Sequence, residues 1–437
     1  VLHHGSLLDV LPTLEADSFT ACVTDPPYHL TSGNLSVDYS SFKHSSDSGG
    51  PKGPTNKAGR GHKSGGFMGK AWDGGDVAMR PETWAEVLRV LKPGAHLLAF
   101  GGTRTYHRIC CAIEDAGFEI RDCIMWIYGS GFPKSLDVSK AIDKAAGAER
   151  EVTGTRDVGP DIRGDNYKRD NGERMIANIT TAATDAAKLW SGYGTALKPA
   201  YEPVIVARKP LSGTVAANCL EHGCGALNID GCRVGTEPTI VQRKGPSADM
   251  GYHGGASMPS RTGSDSGRWP ANVIRDGSEE VLAGFPSAPG QLADISNSAP
   301  SKKTSNVYGA MNRVGEPSQE TRYAEEGGTN FAMKPGARRL DSGSAARFFY
   351  CAKASKSDRG EGNTHPTVKP LKLMEYLVKL VTMPGENRIL DPFAGSGTTL
   401  IACDNAGIPC VGVELEAEHV AIINGRREAN KKNYLFN

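Results

Sequence analysis

The sequence predicts an α/β protein built around a mostly parallel sheet, and three observations carry that expectation. Strand-like and helix-like segments alternate along much of the chain; RILDPFAGSGTT (388–399) reads as strand, glycine loop and helix; and a buried strand, FTACVT (19–24), runs straight into DPPY (25–28). The 437 residues have room for about two or three domain-sized units.

Composition narrows the class. Hydrophobic content of 38% supports a true core, and 53 glycines imply long irregular loops. A net charge of +1 gives no global argument for nucleic acid, so any basic surface must be local. The ten cysteines are scattered, with Cys22, Cys110, Cys111 and Cys403 in apolar stretches, which is reduced, intracellular usage. No charged leader with an apolar core opens the sequence and no run reaches membrane-spanning length, so a cytoplasmic location without membrane contact is expected.

Taken in order, FTACVT is the first buried strand, and a Gly/Ser-rich loop (29–80) follows with Lys43, Lys52, Lys57, Arg60, Lys63 and Lys70. Loops of that length inside a domain carry function or stay disordered. PETWAEVLRVLKPG (81–94) places Trp84, Val87, Leu88 and Leu91 on one helical face and stops at Pro-Gly. AHLLAFGG (95–102) is a strand, TYHRICCAIEDAG (105–117) a helix, and FEIRDCIMWIYG (118–129) a strand.

The rhythm breaks over 134–195 into a charged, partly helical insertion, and YEPVIVARKP (201–210) is again strand-like. A Gly, Ser, Pro and Arg-rich insertion then runs from 212 to about 345. RFFYCAK (347–353) reads as a strand before HPTVKP (365–370) and a helix lined by Leu371, Met374, Leu377, Val378 and Val381. RILDPF, the helix TTLIACDNAG and the strand IPCVGVEL (408–415) close the series.

The late glycine loop has the chemistry of a nucleoside site. Ile389 and Leu390 are the buried strand, Asp391 stands at its carboxyl end, Gly395 and Gly397 make the turn, and Thr398 opens the helix. Glu414, at the end of the next strand, is spaced to accept ribose hydroxyls. No lysine follows Gly397 and the pattern is not GxGxxG, so a nucleoside without a phosphate chain is expected; S-adenosyl-L-methionine fits.

DPPY supplies complementary chemistry. Two prolines stiffen the turn and remove two backbone donors, leaving carbonyls and the Asp25 carboxylate as acceptors. An exocyclic amine on a nucleobase is a poor nucleophile; Asp25 can accept one N–H and the Pro26 carbonyl the other, while Tyr28 offers a stacking face. Alone, DPPY reads equally well as a stiff turn. The joint presence of both motifs on one kind of sheet is what argues for a site.

These motifs, with HPTVKP, resemble the amino-methyltransferases that methylate adenine N6 or cytosine N4 in DNA, in the permuted β arrangement that also occurs in bacteriophages. The resemblance covers about 1–133, 196–211 and 346–437. It implies a Rossmann-like methyltransferase sheet, mostly parallel with an antiparallel edge hairpin, circularly permuted and carrying a large inserted recognition region. Residues 1–133 would be the catalytic half, 134–195 an insertion, 196–211 a strand of the catalytic domain, 212–345 the target-recognition region and 346–437 the cofactor-binding half.

Position by position, Asp25, Pro26, Pro27 and Tyr28 would form the catalytic tetrad. Asp391, Pro392, Phe393, Ala394, Gly395, Ser396, Gly397, Thr398 and Thr399 would hold the cofactor and Glu414 its ribose. Thr367 and Lys369 would lie near the methionine carboxylate, and Ser6 stands where family members often carry an Asp that contacts the adenine. Phe132, in GSGFPK, is the expected contact to the flipped base, and Lys70, in the lysine-bearing loop, the expected contact to the DNA backbone. Arg268 is expected to bind substrate too, with Arg233, Arg243, Arg261, Arg313, Arg322, Arg338 and Arg339 as further donors.

The resemblance implies duplex DNA with its target base flipped out as partner. A cognate restriction endonuclease and a second copy of the chain are further candidate partners, in the cytoplasm of a bacterial or phage-infected cell. DPPY favours adenine N6 over cytosine N4, and methylation of RNA or of a protein amide, or a binding module without turnover, stay open. Cys219, His222, Cys224 and Cys232 cluster without the spacing of a standard C-x2-C pair, so no metal is expected.

Overall fold

The computed structural model describes residues 1–29, 76–131, 135–160, 174–235, 267–288, 304–306, 309–311, 343–353, 355–360, 363–365 and 367–435. Two compact units result, one formed by Val1–Ala226 with Ala354–Asn437 and the other by Leu227–Lys353.

The strands of the first unit are β1 (Leu2–His4), β2 (Phe19–Thr24), β3 (Leu91–Phe100), β4 (Glu119–Ile127), β5 (Val152–Pro160), β6 (Arg174–Thr180), β7 (Tyr201–Arg208), β8 (Ile389–Asp391) and β9 (Cys410–Glu414). Its helices are α1 (Leu7–Val10), α2 (Pro81–Val90), α3 (Tyr106–Asp115), α4 (Val138–Ala145), α5 (Asp185–Leu189), α6 (Val215–His222), α7 (Leu371–Leu380), α8 (Thr398–Asn405) and α9 (Ala417–Leu435). Among the described residues, one sheet of this unit runs in the order β1-β9-β8-β2-β3-β7-β4.

The pairings from β1 to β3 are all parallel, whereas β7 lies antiparallel to both β3 and β4. Every residue of β2, β8 and β9 is buried, as a parallel sheet covered on both faces requires. Helix α2 buries Trp84, Val87 and Val90 in the core, and the Trp84 indole N–H donates to the Ala78 carbonyl at 2.9 Å. Leu91, expected on that helical face, begins β3 instead, because the helix ends at Val90.

Two registers matter for the site. β2 and β8 pair as Ala21 with Ile389 and Cys22 with Leu390, so Asp25 and Asp391 leave the sheet at the same edge. β1 pairs with β9 through Leu2–Gly412, His3–Val413 and His4–Glu414, and the Val1 amine donates to the Cys410 carbonyl at 2.6 Å.

Over 134–195 the structure adds strands to the expected helices, since β5 and β6 pair antiparallel. Their sequences gave little strand signal because described apolar side chains of the pair face solvent: Ile176 is 68% and Ile179 46% exposed. Asp143, fully buried, anchors α4 to the segment before α5 by accepting from the backbone of Ala183 and Thr184, the Thr184 hydroxyl and Arg150.

In the second unit, Val273–Arg275 and Tyr350–Cys351 pair in parallel around the fully buried Ile274. The strand expected over 347–353 is confined to Tyr350–Cys351, because Ser344 caps a 3-10 turn at Ala345–Phe348. Arg268 pairs its backbone with Val234 and lays its guanidinium over Phe348 at 4.9 Å, while Arg233 lies 5.5 Å from the Trp269 ring. Among the described residues, no helix is long and apolar enough to cross a membrane.

Candidate active site

DPPY follows β2 directly, with Pro26 buried and Asp25, Pro27 and Tyr28 partly exposed. The Tyr28 hydroxyl lies 2.8 Å from Asp25 Oδ1 and 3.0 Å from Glu202 Oε2, so one proton has two carboxylate acceptors. Its carbonyl accepts from Thr105 at 2.7 Å, which fixes the turn from the start of α3. Burial, then the neighbouring carboxylates of Asp25 and Glu202, push the Tyr28 phenol well above its ordinary pKa and keep it protonated.

Lys369 reaches this pair from HPTVKP. Its ammonium donates to Asp25 Oδ2 at 2.7 Å and to the Tyr28 oxygen at 3.0 Å, and lies 3.1 Å from Glu202 Oε2. It also stands 4.8 Å from the Phe100 ring and 5.2 Å from the Tyr28 ring. Burial works to lower its pKa, but Asp25 and then Glu202 outweigh it and raise the group above its ordinary value. The sequence reading placed Lys369 near a cofactor carboxylate; the structure gives its ammonium to Asp25 and Glu202.

The glycine loop opens from β8 beside this cluster. Gly395 and Gly397 both adopt left-handed φ, +54° and +79°, which the turn into α8 demands. Glu414 closes the loop: Oε2 accepts from Gly395 N at 2.7 Å, and Oε1 accepts from Glu416 N at 2.9 Å with His419 Nδ1 at 3.2 Å. Two carboxylate oxygens can take about four donors, so a ribose hydroxyl still finds an acceptor there.

Asp391, Pro392, Ala394, Ser396, Thr398 and Thr399 are buried around the turn, with Phe393 partly exposed and its ring 6.2 Å from that of Trp84. Asp391 accepts from Thr24 and from Phe393 N, so its carboxylate supports the loop from beneath. Ser6 caps α1 by accepting from Leu8 N at 3.3 Å, next to Gly5, whose N–H donates to the Glu414 carbonyl at 2.9 Å. Thr367 is exposed, and its carbonyl accepts from His365 Nδ1 at 2.5 Å.

Residues 264–425 match the family model of the N6/N4 methyltransferases, described as DNA methylase. Over that segment the chain is similar to the DNA methylase family. Within the matched segment lie HPTVKP, the glycine loop and Glu414; DPPY and Glu202 come from outside it.

Among curated relatives, the chain is 26% identical over 183 residues to the Type II methyltransferase M.HindIII of Haemophilus influenzae, covering 39% of this chain and 48% of that protein. It is 32% identical over 95 residues to the Type II methyltransferase M2.DpnII of Streptococcus pneumoniae, covering 22% and 35%. The chain thus spans about half or less of the curated relatives it matches. Among solved structures, the complex of M1.HpyAVI with SAM aligns over 97% of this chain and 98% of that one at 13% identity and a TM-score of 0.35. PvuII DNA methyltransferase (cytosine-N4-specific) aligns over 99% and 90% at 13% identity and a TM-score of 0.37.

Several residues of this site were silent in the sequence. Glu202 was read only as part of a strand, although an acid next to an otherwise apolar run was a usable signal. Arg426 and His419 lie on α9, which carries no motif. Arg426 grips the loop through the Ser396 carbonyl, Ser396 Oγ at 3.1 Å and Thr398 Oγ1 at 3.2 Å. Phe132, Lys70, Arg243, Arg261, Arg313, Arg322, Arg338 and Arg339 lie outside the described residues, and Arg268 belongs to the second unit. Among the described residues, no group of three or more His, Cys, Asp or Glu is gathered as a metal would need.

Proposed function

We propose that the chain transfers a methyl group from S-adenosyl-L-methionine to the exocyclic N6 of an adenine flipped out of duplex DNA. The observation that carries the reading is the parallel pairing of β2 with β8, which opens DPPY and the glycine loop at one edge of one sheet. The family of residues 264–425 points the same way. The head of the motif is Asp25, and DPPY is what favours adenine over cytosine.

The residues around the loop fit this cofactor. Glu414 retains acceptor capacity for a ribose hydroxyl, and Gly395 and Gly397 keep the loop free of side chains. When bound, the cofactor supplies an electrophilic methyl group on a sulfonium. Asp25 accepts an N–H of the target amine and with the Pro26 carbonyl draws the nitrogen toward tetrahedral geometry. Tyr28 stacks on the extruded base, worth about 1–3 kcal/mol in single-strand binders. The permuted order of the chain is part of the same proposal, supported by β1 pairing beyond β9 at the sheet edge.

The test is direct. The protein is incubated with unmethylated DNA and labelled cofactor, the DNA is digested, and the labelled nucleoside is identified. N6-methyladenine is expected; N4-methylcytosine would overturn the choice of base, and no label in DNA would overturn the substrate class.

A further inference from the structure

Among the described residues, the charges around Lys369 do not balance. Two carboxylates, Asp25 and Glu202, face one ammonium that is only 9% exposed. Taken alone, an Asp25–Lys369 pair 2.7 Å apart would be neutral toward a third group. Asp25 would then offer little to a nitrogen that becomes positive. Glu202 adds the second negative charge and leaves the trio at net −1 (two carboxylates minus one ammonium), in a half-buried place where charge is poorly screened.

We propose that Glu202 is the charge-balancing positioning residue of this site. By sharing Lys369 it keeps the cluster anionic at the point where the acceptor nitrogen carries positive charge. This rests on the reading of Asp25 as the acceptor site for the target amine. In that transfer the nitrogen lone pair forms the N–CH3 bond, the S–CH3 bond breaks with its electron pair left on sulfur, and the nitrogen then releases one proton to water. Between the first and last events the nitrogen is cationic, and a neutral cluster would not stabilise it.

The placement suits the role. Glu202 stands in β7 opposite Trp126 of β4, so its backbone is fixed by antiparallel pairing rather than by a loop. Its second contact, to the Tyr28 hydroxyl at 3.0 Å, ties the carboxylate to the same ring that faces Lys369.

Steady-state kinetics with three variants separate the possibilities. Glu202→Gln keeps the shape and removes one negative charge; kcat is expected to fall about 10- to 100-fold, with cofactor binding by calorimetry unchanged. Glu202→Gln combined with Lys369→Met removes both charges and returns the cluster to net −1 on Asp25, so it is expected to be faster than Glu202→Gln alone. A side chain that merely props the fold would make the double variant no better than the single one. Wild-type kcat in Glu202→Gln, loss of cofactor binding in it, or no recovery in the double variant each overturns the inference. Asp25→Ala is the control: full activity there sinks the parent reading itself, whereas its inactivity beside an unaffected Glu202→Gln sinks the role of Glu202 only.

Discussion

The Thr24 hydroxyl donates to Asp391 Oδ1 at 2.7 Å, although 367 residues separate the two in the chain. This bond joins the strand that delivers DPPY to the strand that delivers the glycine loop. It also gives a hydrogen-bond donor to a carboxylate that is only 2% exposed.

Burial pushes the Asp391 carboxyl up to about 6, against the hydrogen bonds from Thr24, Thr399 and Phe393 N. A folded-state pKa above the unfolded one contributes stability at low pH that is lost as pH rises through about 6. Once ionised, the group costs about 3 kcal/mol. Asp391→Asn is therefore expected to be more stable than the wild type by ~1–3 kcal/mol near pH 8, with the gap closing below about pH 4. Urea unfolding across that range measures it; equal stabilities at pH ~8 would show that the hydrogen bonds outweigh the burial.

Two buried histidines act in the opposite direction. Burial, helped by Arg208 and Arg121, lowers His96 to about 4, and burial with His419 lowers His365 to about 4 against the Thr367 carbonyl. Depressed folded-state values contribute stability above the unfolded pKa of about 6.5 that is lost as pH falls toward 4, by up to ~3 kcal/mol each. The melting temperature is expected to drop between about pH 6.5 and pH 4, and His96→Gln to flatten that slope. An unchanged slope would remove His96 from the account.

Gly397 cannot carry a side chain. Its φ is +79°, and a Cβ would stand 2.9 Å from both Cγ1 and Cγ2 of Ile423 on α9. Gly397→Ala is expected to weaken cofactor binding at least tenfold by calorimetry, because the loop must move to relieve the clash. Gly407→Ala is the comparison: its φ is +66°, but nothing lies within 4 Å of the added carbon. It should cost about 1 kcal/mol of stability and leave cofactor affinity intact.

Arg426 is expected to be a strut of the loop. Burial holds its guanidinium below the ordinary value, at about 10, yet it donates to Ser396 and Thr398 on one side and to the Asp358 carbonyl at 2.6 Å on the other. Arg426→Met should destabilise the protein by about 3 kcal/mol, since it strands those buried acceptors. Arg426→Lys should recover only part, because one ammonium cannot span both sides. Denaturant midpoints decide it, and a wild-type midpoint for Arg426→Met would refute the strut.

The sequence by itself determined the parts whose signal is local. Alternating strands and helices, the stiff Asp-Pro-Pro turn, the paired glycines before α8 and the acid at the end of β9 are all short-range patterns, and each depends on backbone geometry within a few residues. Tertiary structure alone decided what meets across the sheet. YEPVIVAR reads as a strand, but nothing in it dictates that it run antiparallel between β3 and β4 and so bring Glu202 to Lys369 and Tyr28. Lys369 was legible as a site residue, but not as the partner of an aspartate 344 positions away. Arg426 was illegible for the same reason: a hydrogen bond between distant segments leaves no period in either of them. Register and strand order place those groups, and both are set by the packing of the whole sheet rather than by any one stretch of it.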